Sequence, residues 1–242
     1  MTSDAPSDEE RRREEERYRE TEREARDEAA PFAALVVVAL VALALVSLSA
    51  DWRLFQGVGW WVWLVAAAPY AALALTLEVG LGRVSDRGRR RAIVQALLTV
   101  VVLFSLIEIS LLVASLMTSN LGISGAQLLQ SGVTVWLANV VAFGLAFWEL
   151  DCGGPVRRAL SQERVTPDIQ FPQDENPTLA IKDWAPRLVD YLYVSTTNSI
   201  AFSPTDAMPL SRSAKGLMAT EAAVSVVAVL LIAARAVNIL QA

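Results

Sequence analysis

Residues 31–50 read PFAALVVVALVALALVSLSA and contain no charged side chain. Crossing about 30 Å of hydrocarbon takes about 20 mainly apolar residues in a helix, because backbone polar groups find no water to bond inside a bilayer. The stretch is therefore predicted to be a transmembrane helix. Similar stretches follow at residues 58–81, 92–117, 132–150 and 216–240. Together they predict an all-α polytopic bundle of five full spans.

The composition agrees with a membrane protein and argues against an enzyme. Of the 242 residues, 54% are hydrophobic and 19% are charged, which is more apolar than an ordinary soluble domain. The chain has no histidine and one cysteine, Cys152, so it lacks the residues for a histidine-based triad, a His/Cys zinc site or an internal disulfide. We expect neither catalysis nor a cofactor nor a bound metal.

The acidity of the chain is confined to its first 30 residues. Residues 1–30 hold twelve Asp or Glu and seven Arg, while the rest of the chain carries 14 charges of each sign. Opposite charges recur there at helical spacing, which is typical of a solvated helix, although a disordered arm fits the composition as well. The tail is predicted to lie in water as a solubilising leader or as a docking arm for a protein partner.

Lysine and arginine are distributed unevenly between the predicted loops. With the N-terminus inside, 19 of these cations lie on the inner side and only Arg53 lies outside. The positive-inside rule then predicts a multi-pass protein of the plasma membrane with a cytoplasmic N-terminus. The arginine-rich stretch 83–91, RVSDRGRRR, is interpreted as a topology anchor rather than a nucleic-acid site.

Residues 151–185 form the long polar segment between the fourth and the last span. It begins DCGGP and continues through Pro167, Pro172 and Pro177, and proline at this density opposes both helix interiors and central strands. We predict an irregular surface loop without strands.

The sequence from residue 190 reads DYLYVSTTNSIAFSPTDAMPLS. It resembles the pore helix, filter and turn of potassium channels, and the following segment resembles their inner helix. The matching positions are Asp190, Tyr191, Tyr193 and Ser195 in the pore helix, Asp206 after the filter, Pro209, Leu210 and Ser211 in the turn, and Glu221 and Ala234–Arg235 in the inner helix. The resemblance implies an outer helix at 132–150, a pore-like helix at 186–200, a degenerate filter at 200–206 and an inner helix at 216–240. Residues 31–130 then form a separate three-helix region of the membrane part, and 131–242 form a channel-like module that assembles as a tetramer.

The filter itself departs from the potassium-channel pattern. Backbone carbonyls form the ion-binding rings in that family, and glycines allow the required backbone angles. Here the corresponding residues are IAFSPT, without either glycine and with Pro204 fixing its own φ. Potassium selectivity is therefore not expected.

A run of small polar side chains provides the candidate ion pathway. The residues predicted to line a pore or an ion path are Thr196, Thr197, Asn198, Ser199, Ser203, Thr205, Asp206, Glu221 and Glu108. Glu108 lies in the middle of the third span, where an ionisable group costs roughly 3 kcal/mol or more unless it meets a partner or water. Three interpretations stay open for it: a protonated structural carboxyl bonded to Ser105 or Asn139, an ion or proton path, and a pair with Arg235.

Three other carboxylates, Glu149, Asp151 and Glu221, lie near predicted span ends. We expect them to lie separately in water at the membrane interface, with a common cation-attracting mouth as the alternative. Asn139 is predicted to bond across helices, since polar side chains often hold membrane helices together, and a role in binding a ligand is the alternative.

Channel pore loops face outward, whereas the charge count places residues 151–216 inside. The pore-like segment is therefore predicted either to re-enter from the inner side or to cross as a short sixth span. We expect ion-channel-like permeation in a homo-oligomer. A non-conducting scaffold that docks partners through the tail is the alternative, and a proton-coupled transporter using Glu108 is a third hypothesis.

The chain also resembles a group of uncharacterised bacterial multi-pass membrane proteins, and more closely than it resembles the channels. The shared features are WELD at 148–151, GGP at 153–155, FPQ at 171–173 and FSPTD at 202–206. This resemblance implies a membrane location and no particular activity.

Overall fold

The computed structural model describes residues 8–50, 59–79, 87–117, 125–161, 166–176, 178, 180–182, 184–203 and 206–240. The elements in chain order are α1 (Asp8–Ser49), α2 (Trp61–Val79), α3 (Arg87–Met117), α4 (Gly125–Leu150), a 3-10 turn (Asp151–Gly153), α5 (Pro155–Leu160), β1 (Ile169–Gln170), α6 (Pro172–Glu175), α7 (Leu188–Ala201), β2 (Met208–Pro209) and α8 (Arg212–Leu240). The fold is all-α, as predicted. The short antiparallel pair of β1 and β2 was not expected. The segment 151–185 also differs from the irregular loop that was predicted, because it contains α5 and α6.

Two of the described helices are long and apolar enough to cross a membrane. They are Glu9–Ser49 and Leu129–Leu160, and the apolar helical stretches Trp61–Thr76 and Ala92–Phe104 are shorter. The part of the chain that the structure describes therefore has two candidate spans, fewer than the five that were predicted. The segments at 118–124 and 80–86, where predicted loops lie, are outside that part.

The charged tail and the first apolar stretch form one continuous helix. α1 has 42 residues, about 63 Å of helix, and it passes through Pro31, where the sequence predicted a span to begin. Of the two alternatives for the tail, the structure has the helix from Asp8 onward. Arg13 and Arg19 pair with the glutamates one turn earlier, Glu9 and Glu15, at 3.9 and 3.0 Å. Such exposed pairs add only a few tenths of a kcal/mol each to helix stability.

The helices pack as a bundle with α4 near its centre. α1 packs against α2, where the Trp63 indole donates to the Ser47 hydroxyl at 3.1 Å. α2 contacts α4, where the Tyr70 hydroxyl donates to the Ala138 carbonyl at 3.2 Å. α3 packs against both α4 and α8. Most of α4 from Val135 onward is buried, which follows from its nearly continuous apolar sequence.

Several chain segments meet at one end of the bundle, which we call the polar end. The Leu188 backbone N–H at the start of α7 donates to Glu28 Oε1 at 2.7 Å. The Tyr191 hydroxyl reaches Asp151, just past the end of α4, at 2.5 Å. The Leu210 N–H donates to the Asp168 carbonyl at 2.8 Å, immediately before α8 begins. The tail, the end of α4 and the starts of α7 and α8 therefore share this end.

α7 enters the bundle from the polar end and does not cross it. It runs antiparallel to α4, with the Ser195 hydroxyl donating to the Val140 carbonyl at 2.9 Å and the Trp136 indole donating to Ser199 Oγ at 3.2 Å. Its fourteen residues span about 21 Å, and the chain is back at the polar end in β2, which pairs with β1. We call residues 188–209 the hairpin.

Glu28 provides a first stability prediction. A negative side chain bonded to a free N–H at a helix start typically stabilises the helix by about 1 kcal/mol. We expect Glu28→Ala to lower the free energy of unfolding in detergent by about that amount, because the Leu188 N–H loses its acceptor. Glu24→Ala, an exposed position one turn earlier on α1, is the control and should change it by less than about 0.5 kcal/mol. Equal effects of the two substitutions would contradict the contact.

Candidate functional site

The hairpin presents polar side chains on its buried face. Leu188, Tyr191 and Leu192 are buried at the start of α7, and Ser195, Asn198 and Ser199 continue the same stripe with exposures of 0–1%. This spacing of three and four residues places them on one side of the helix. A buried polar group is destabilising unless it is hydrogen-bonded, so each of these side chains needs a partner on α4 or α8.

Glu221 of α8 is the central partner of this polar face. It is fully buried, although it was expected to lie in water near a span end. The Ser195 hydroxyl contacts Glu221 Oε1, and the Asn198 side-chain amide donates to Glu221 Oε2 at 2.7 Å. The same amide also donates to the Met218 carbonyl at 3.0 Å. We call Ser195, Asn198 and Glu221 the carboxyl lock, because they hold α7 against α8.

A second polar contact lies one turn deeper along α8. The Asn139 amide donates to the Ser225 hydroxyl at 3.4 Å, and both side chains are buried. Asn139 thus bonds across helices, as its packing interpretation predicted. The contact continues the polar column from the carboxyl lock toward the far end of the bundle.

Asp151 is the centre of another buried cluster, at the polar end. Its Oδ1 accepts the backbone N–H groups of Asp168 and Ile169 at 2.7 and 3.1 Å. Its Oδ2 accepts the Tyr191 hydroxyl at 2.5 Å and Arg158 Nη1 at 3.3 Å. Asp151 is 1% exposed, so its four donors replace the water that it loses. We call this cluster the aspartate lock.

Aromatic contacts strengthen the aspartate lock. The Arg158 guanidinium lies 5.2 Å above the centre of the Tyr191 ring, and the Phe171 ring meets the same ring edge-on at a centroid distance of 5.2 Å. Burial raises the pKa of Tyr191 above its usual range, so the phenol keeps its proton and stays a donor to Asp151. α7, only fourteen residues long, is thereby fixed to the polar segment as well as to α8.

The turn after α4 depends on glycine. Gly154 has a φ of 99°, and a Cβ at this position would lie 3.1 Å from both carboxylate oxygens of Glu149. The turn directs the chain back over the end of α4, which is how Asp168 and Ile169 reach Asp151. The expectation that Asp151 lies in water was wrong for this reason: the polar segment covers it.

The structure places the predicted pore-lining residues in different settings. Asn198, Ser199 and Glu221 are buried inside the chain. Thr196 and Thr197 are half-buried and donate their hydroxyls to the Leu192 and Val194 carbonyls of their own helix. The exposed members are Ser203 and Asp206, and the members that lie outside the described part are Thr205 and the side chain of Glu108. The open question about Ser105, Asn139 and Arg235 as partners of Glu108 therefore receives no structural answer.

Comparison with protein-family models, with curated proteins and with solved structures finds no match.

The sequence contained only part of the signal for this site. Ser195 and Asn198 belong to the polar run that was singled out, but their direction toward Glu221 depends on how α7 packs. Arg158 was counted as one topology charge among many, although its side chain is 13% exposed in the pair with Asp151. The spacing of Tyr191 and Ser195, four residues apart on one helical face, was the available hint that the two locks lie on the same side of α7.

The two locks fix the hairpin and leave its other side open. Tyr193, Ile200 and Phe202 are 52%, 56% and 39% exposed on this open side, close in sequence to Thr196 and Ser203. The buried polar side chains of the carboxyl lock bond within the chain, so the open side is the part of the hairpin that other molecules can contact.

Proposed function

We propose that the protein is an integral membrane protein of the bacterial inner membrane in which the hairpin is a re-entrant element of an ion-permeation pathway between subunits. The observation that carries this proposal is the path of the hairpin, which enters and leaves the bundle at one end. Irregular backbone at membrane depth is tolerated only where protein buries it or where it lines water. Of the residues that follow Ala201, Phe202 and Ser203 are exposed, which agrees with backbone that lines water.

The orientation follows from the shared polar end. The Glu28 side chain contacts the start of α7, and the Asp151 side chain contacts Tyr191 of the same helix, so the tail and the polar segment lie at one end of the bundle. The charge count requires these two segments to lie on the same side, and the positive-inside rule makes that side the cytoplasm. In this arrangement α1, α2, α3, α4 and α8 are the five spans, and the hairpin opens toward the cytoplasm.

The residues proposed to line the pathway are those of the open side, Thr196, Thr197, Ser203 and Asp206. Hydroxyl oxygens and a carboxylate favour cations, while the absence of the filter glycines from the sequence argues against potassium-type selectivity. Because the open side faces away from its own chain, the pathway requires several copies. The resemblance to channels suggests four.

Flux through reconstituted protein is the direct test. Purified protein in liposomes should conduct small cations more readily than anions. No flux of either kind would remove the permeation proposal.

Ser203→Cys gives a sharper test of where the pathway lies. The native Cys152 is only 8% exposed, so a charged thiol reagent should react mainly with an introduced cysteine. We expect the reagent to abolish most of the flux of Ser203→Cys, since it places a bulky charge in the pathway. Ser161→Cys, an exposed position in the polar segment, is the matched control and should keep its flux. Block of both variants, or of neither, would contradict the proposed path.

The alternative is a non-conducting scaffold that binds a partner through α1. It is favoured by the exposure of every described side chain from Glu9 to Arg17, on a helix that continues into the bundle. Deleting residues 2–17 separates the two functions, because it leaves the Glu28 contact intact. A permeation pathway keeps its flux after this deletion. A scaffold shows no flux before or after it and loses its crosslinks to partners in cells.

A further inference from the structure

If Glu221 is ionised, the contacts of Ser195 in the carboxyl lock need one more proton than the side chains supply. Ser195 Oγ contacts two oxygens, the Val140 carbonyl and Glu221 Oε1. A hydroxyl has one proton to donate, and a carboxylate has none. If Glu221 is ionised, one of the two oxygen pairs around Ser195 has no proton between its atoms.

A protonated Glu221 completes the network. The carboxylic acid then donates to Ser195 Oγ, and the Ser195 hydroxyl donates to the Val140 carbonyl at 2.9 Å. Asn198 uses both of its amide protons, one for Glu221 Oε2 and one for the Met218 carbonyl. In this arrangement each of these protons lies between a donor and an acceptor, as buried networks require.

The charge balance around Glu221 leads to the same assignment. Glu221 is fully buried, and its described hydrogen bonds are with Ser195 and Asn198, neither of which is titratable. A buried carboxylate without a cation is strongly disfavoured. The neutral acid avoids this penalty.

The other titratable and charged residues of this region lie on α8 and on the helices packed against it. They are Asp190, Tyr191 and Tyr193 on α7, Glu149 on α4, Arg87, Arg89, Arg90, Arg91 and Glu108 on α3, and Arg212, Lys215 and Arg235 on α8 itself. Asp190 accepts the Arg187 N–H at the start of α7, and Tyr191 belongs to the aspartate lock. Tyr193, Arg212 and Lys215 are exposed, and the α3 side chains in this set, with Arg235, are outside the described part.

We propose that Glu221 is a proton-binding site, occupied in this conformation, whose proton holds the hairpin against α8. Loss of the proton leaves the Ser195 hydroxyl between two acceptors and places a charge in the interface of α7 and α8. The hairpin therefore loosens as the pH rises and tightens as it falls. This assignment goes beyond the proposed permeation and stands independently of it, because its readouts are spectroscopic and structural.

Infrared spectroscopy tests whether the proton is present. Wild-type protein near neutral pH should show the C=O stretching band of a protonated carboxylic acid, with a shift in D₂O, and Glu221→Gln should lack the band. Ser195→Ala keeps the acid but removes its acceptor, so the band should move in this variant. Absence of the band from the wild type, or an unchanged band in both variants, would overturn the assignment.

Labelling of a cysteine in the hairpin tests the loosening. Thr196→Cys places a half-buried thiol beside the lock, and its labelling rate is measured against pH with and without Glu221→Gln. The glutamine keeps one acceptor and one donor in place, so it imitates the neutral acid at every pH. The labelling rate of Thr196→Cys is divided by the rate of the variant that also carries Glu221→Gln, which cancels the pH dependence of the thiol's own reactivity. We expect this ratio to rise several-fold at alkaline pH. A ratio independent of pH would overturn the coupling of the proton to the hairpin.

Discussion

Asp151→Ala is expected to lower the free energy of unfolding in detergent by about 3–5 kcal/mol, the range measured when one partner of a buried ion pair is removed. Four donors lose their acceptor at once: the Arg158 guanidinium, the Tyr191 hydroxyl and two backbone N–H groups of the polar segment. Arg158 then stays largely buried without a counterion. The polar segment and the start of α7 should loosen together.

Asp151→Asn tests whether charge or shape matters at this position. An asparagine side chain has one acceptor oxygen and one donor nitrogen, whereas each oxygen of Asp151 accepts two donors. Whichever way the amide is turned, two donors face its nitrogen. We therefore expect a loss close to that of the alanine variant. Glu175→Ala, on the exposed helix α6, is the control and should change the free energy by less than about 0.5 kcal/mol. A small loss for both Asp151 variants would show that the cluster is not a lock.

The helices that carry the two locks were predicted from the sequence, but the burial of the two carboxyl groups was not. The apolar stretches gave the helices α1 to α4 and α8, and the pattern from residue 190 gave α7 to within two residues at its start. Because Asp151 and Glu221 are close to predicted span ends in the sequence, they were expected to lie in water. That inference failed because a folded-back segment covers each of them: the polar segment covers Asp151, and α7 covers Glu221.

The sequence also did not indicate which side of α7 is buried. Ordinary amphipathic helices bury apolar side chains and expose polar ones. α7 follows this rule at its start, where Leu188 and Leu192 are buried. It departs from the rule further on, where Ser195 and Asn198 are buried and Ile200 is exposed. This reversal is physically reasonable where the surroundings are lipid or another subunit, since polar groups are then best satisfied inside the chain. The reversal agrees with the proposed membrane setting of the hairpin.

The tail differs from its prediction in a way that changes the design of experiments. A leader of 30 residues suggested a boundary at Pro31, but the helix passes through this proline, and Ala29 and Ala30 are already buried. A proline inside a helix removes one backbone hydrogen bond and is tolerated where packing compensates. Deletion of residues 1–28 would also remove Glu28, which contacts the start of α7. Deletion of residues 2–17 keeps this contact and therefore tests the tail alone.

Gly144→Ala and Gly216→Ala are expected to change stability in opposite directions, although both replace a glycine inside a helix. A Cβ at position 144 of α4 would lie 2.6 Å from Leu192 Cδ2 and 3.2 Å from Leu192 Cα. The first distance is shorter than any normal contact, and the second involves the backbone of α7, so α7 has to move away. Overpacking of this kind lowers the free energy of unfolding by about 1–3 kcal/mol.

Position 216 of α8 has nothing within 4 Å of an added Cβ. Alanine is the better helix former, so Gly216→Ala should raise the free energy of unfolding by up to about 1 kcal/mol. Leu192→Ala combined with Gly144→Ala should recover part of the loss from overpacking, because it removes the side chain that meets the new methyl group. Unfolding in detergent, followed by circular dichroism, measures these three variants and Leu192→Ala alone. If the two glycine substitutions act alike, or if the double variant is as unstable as the sum of its parts, then α7 does not lie against α4 at Gly144, and the hairpin is held at its two locks alone.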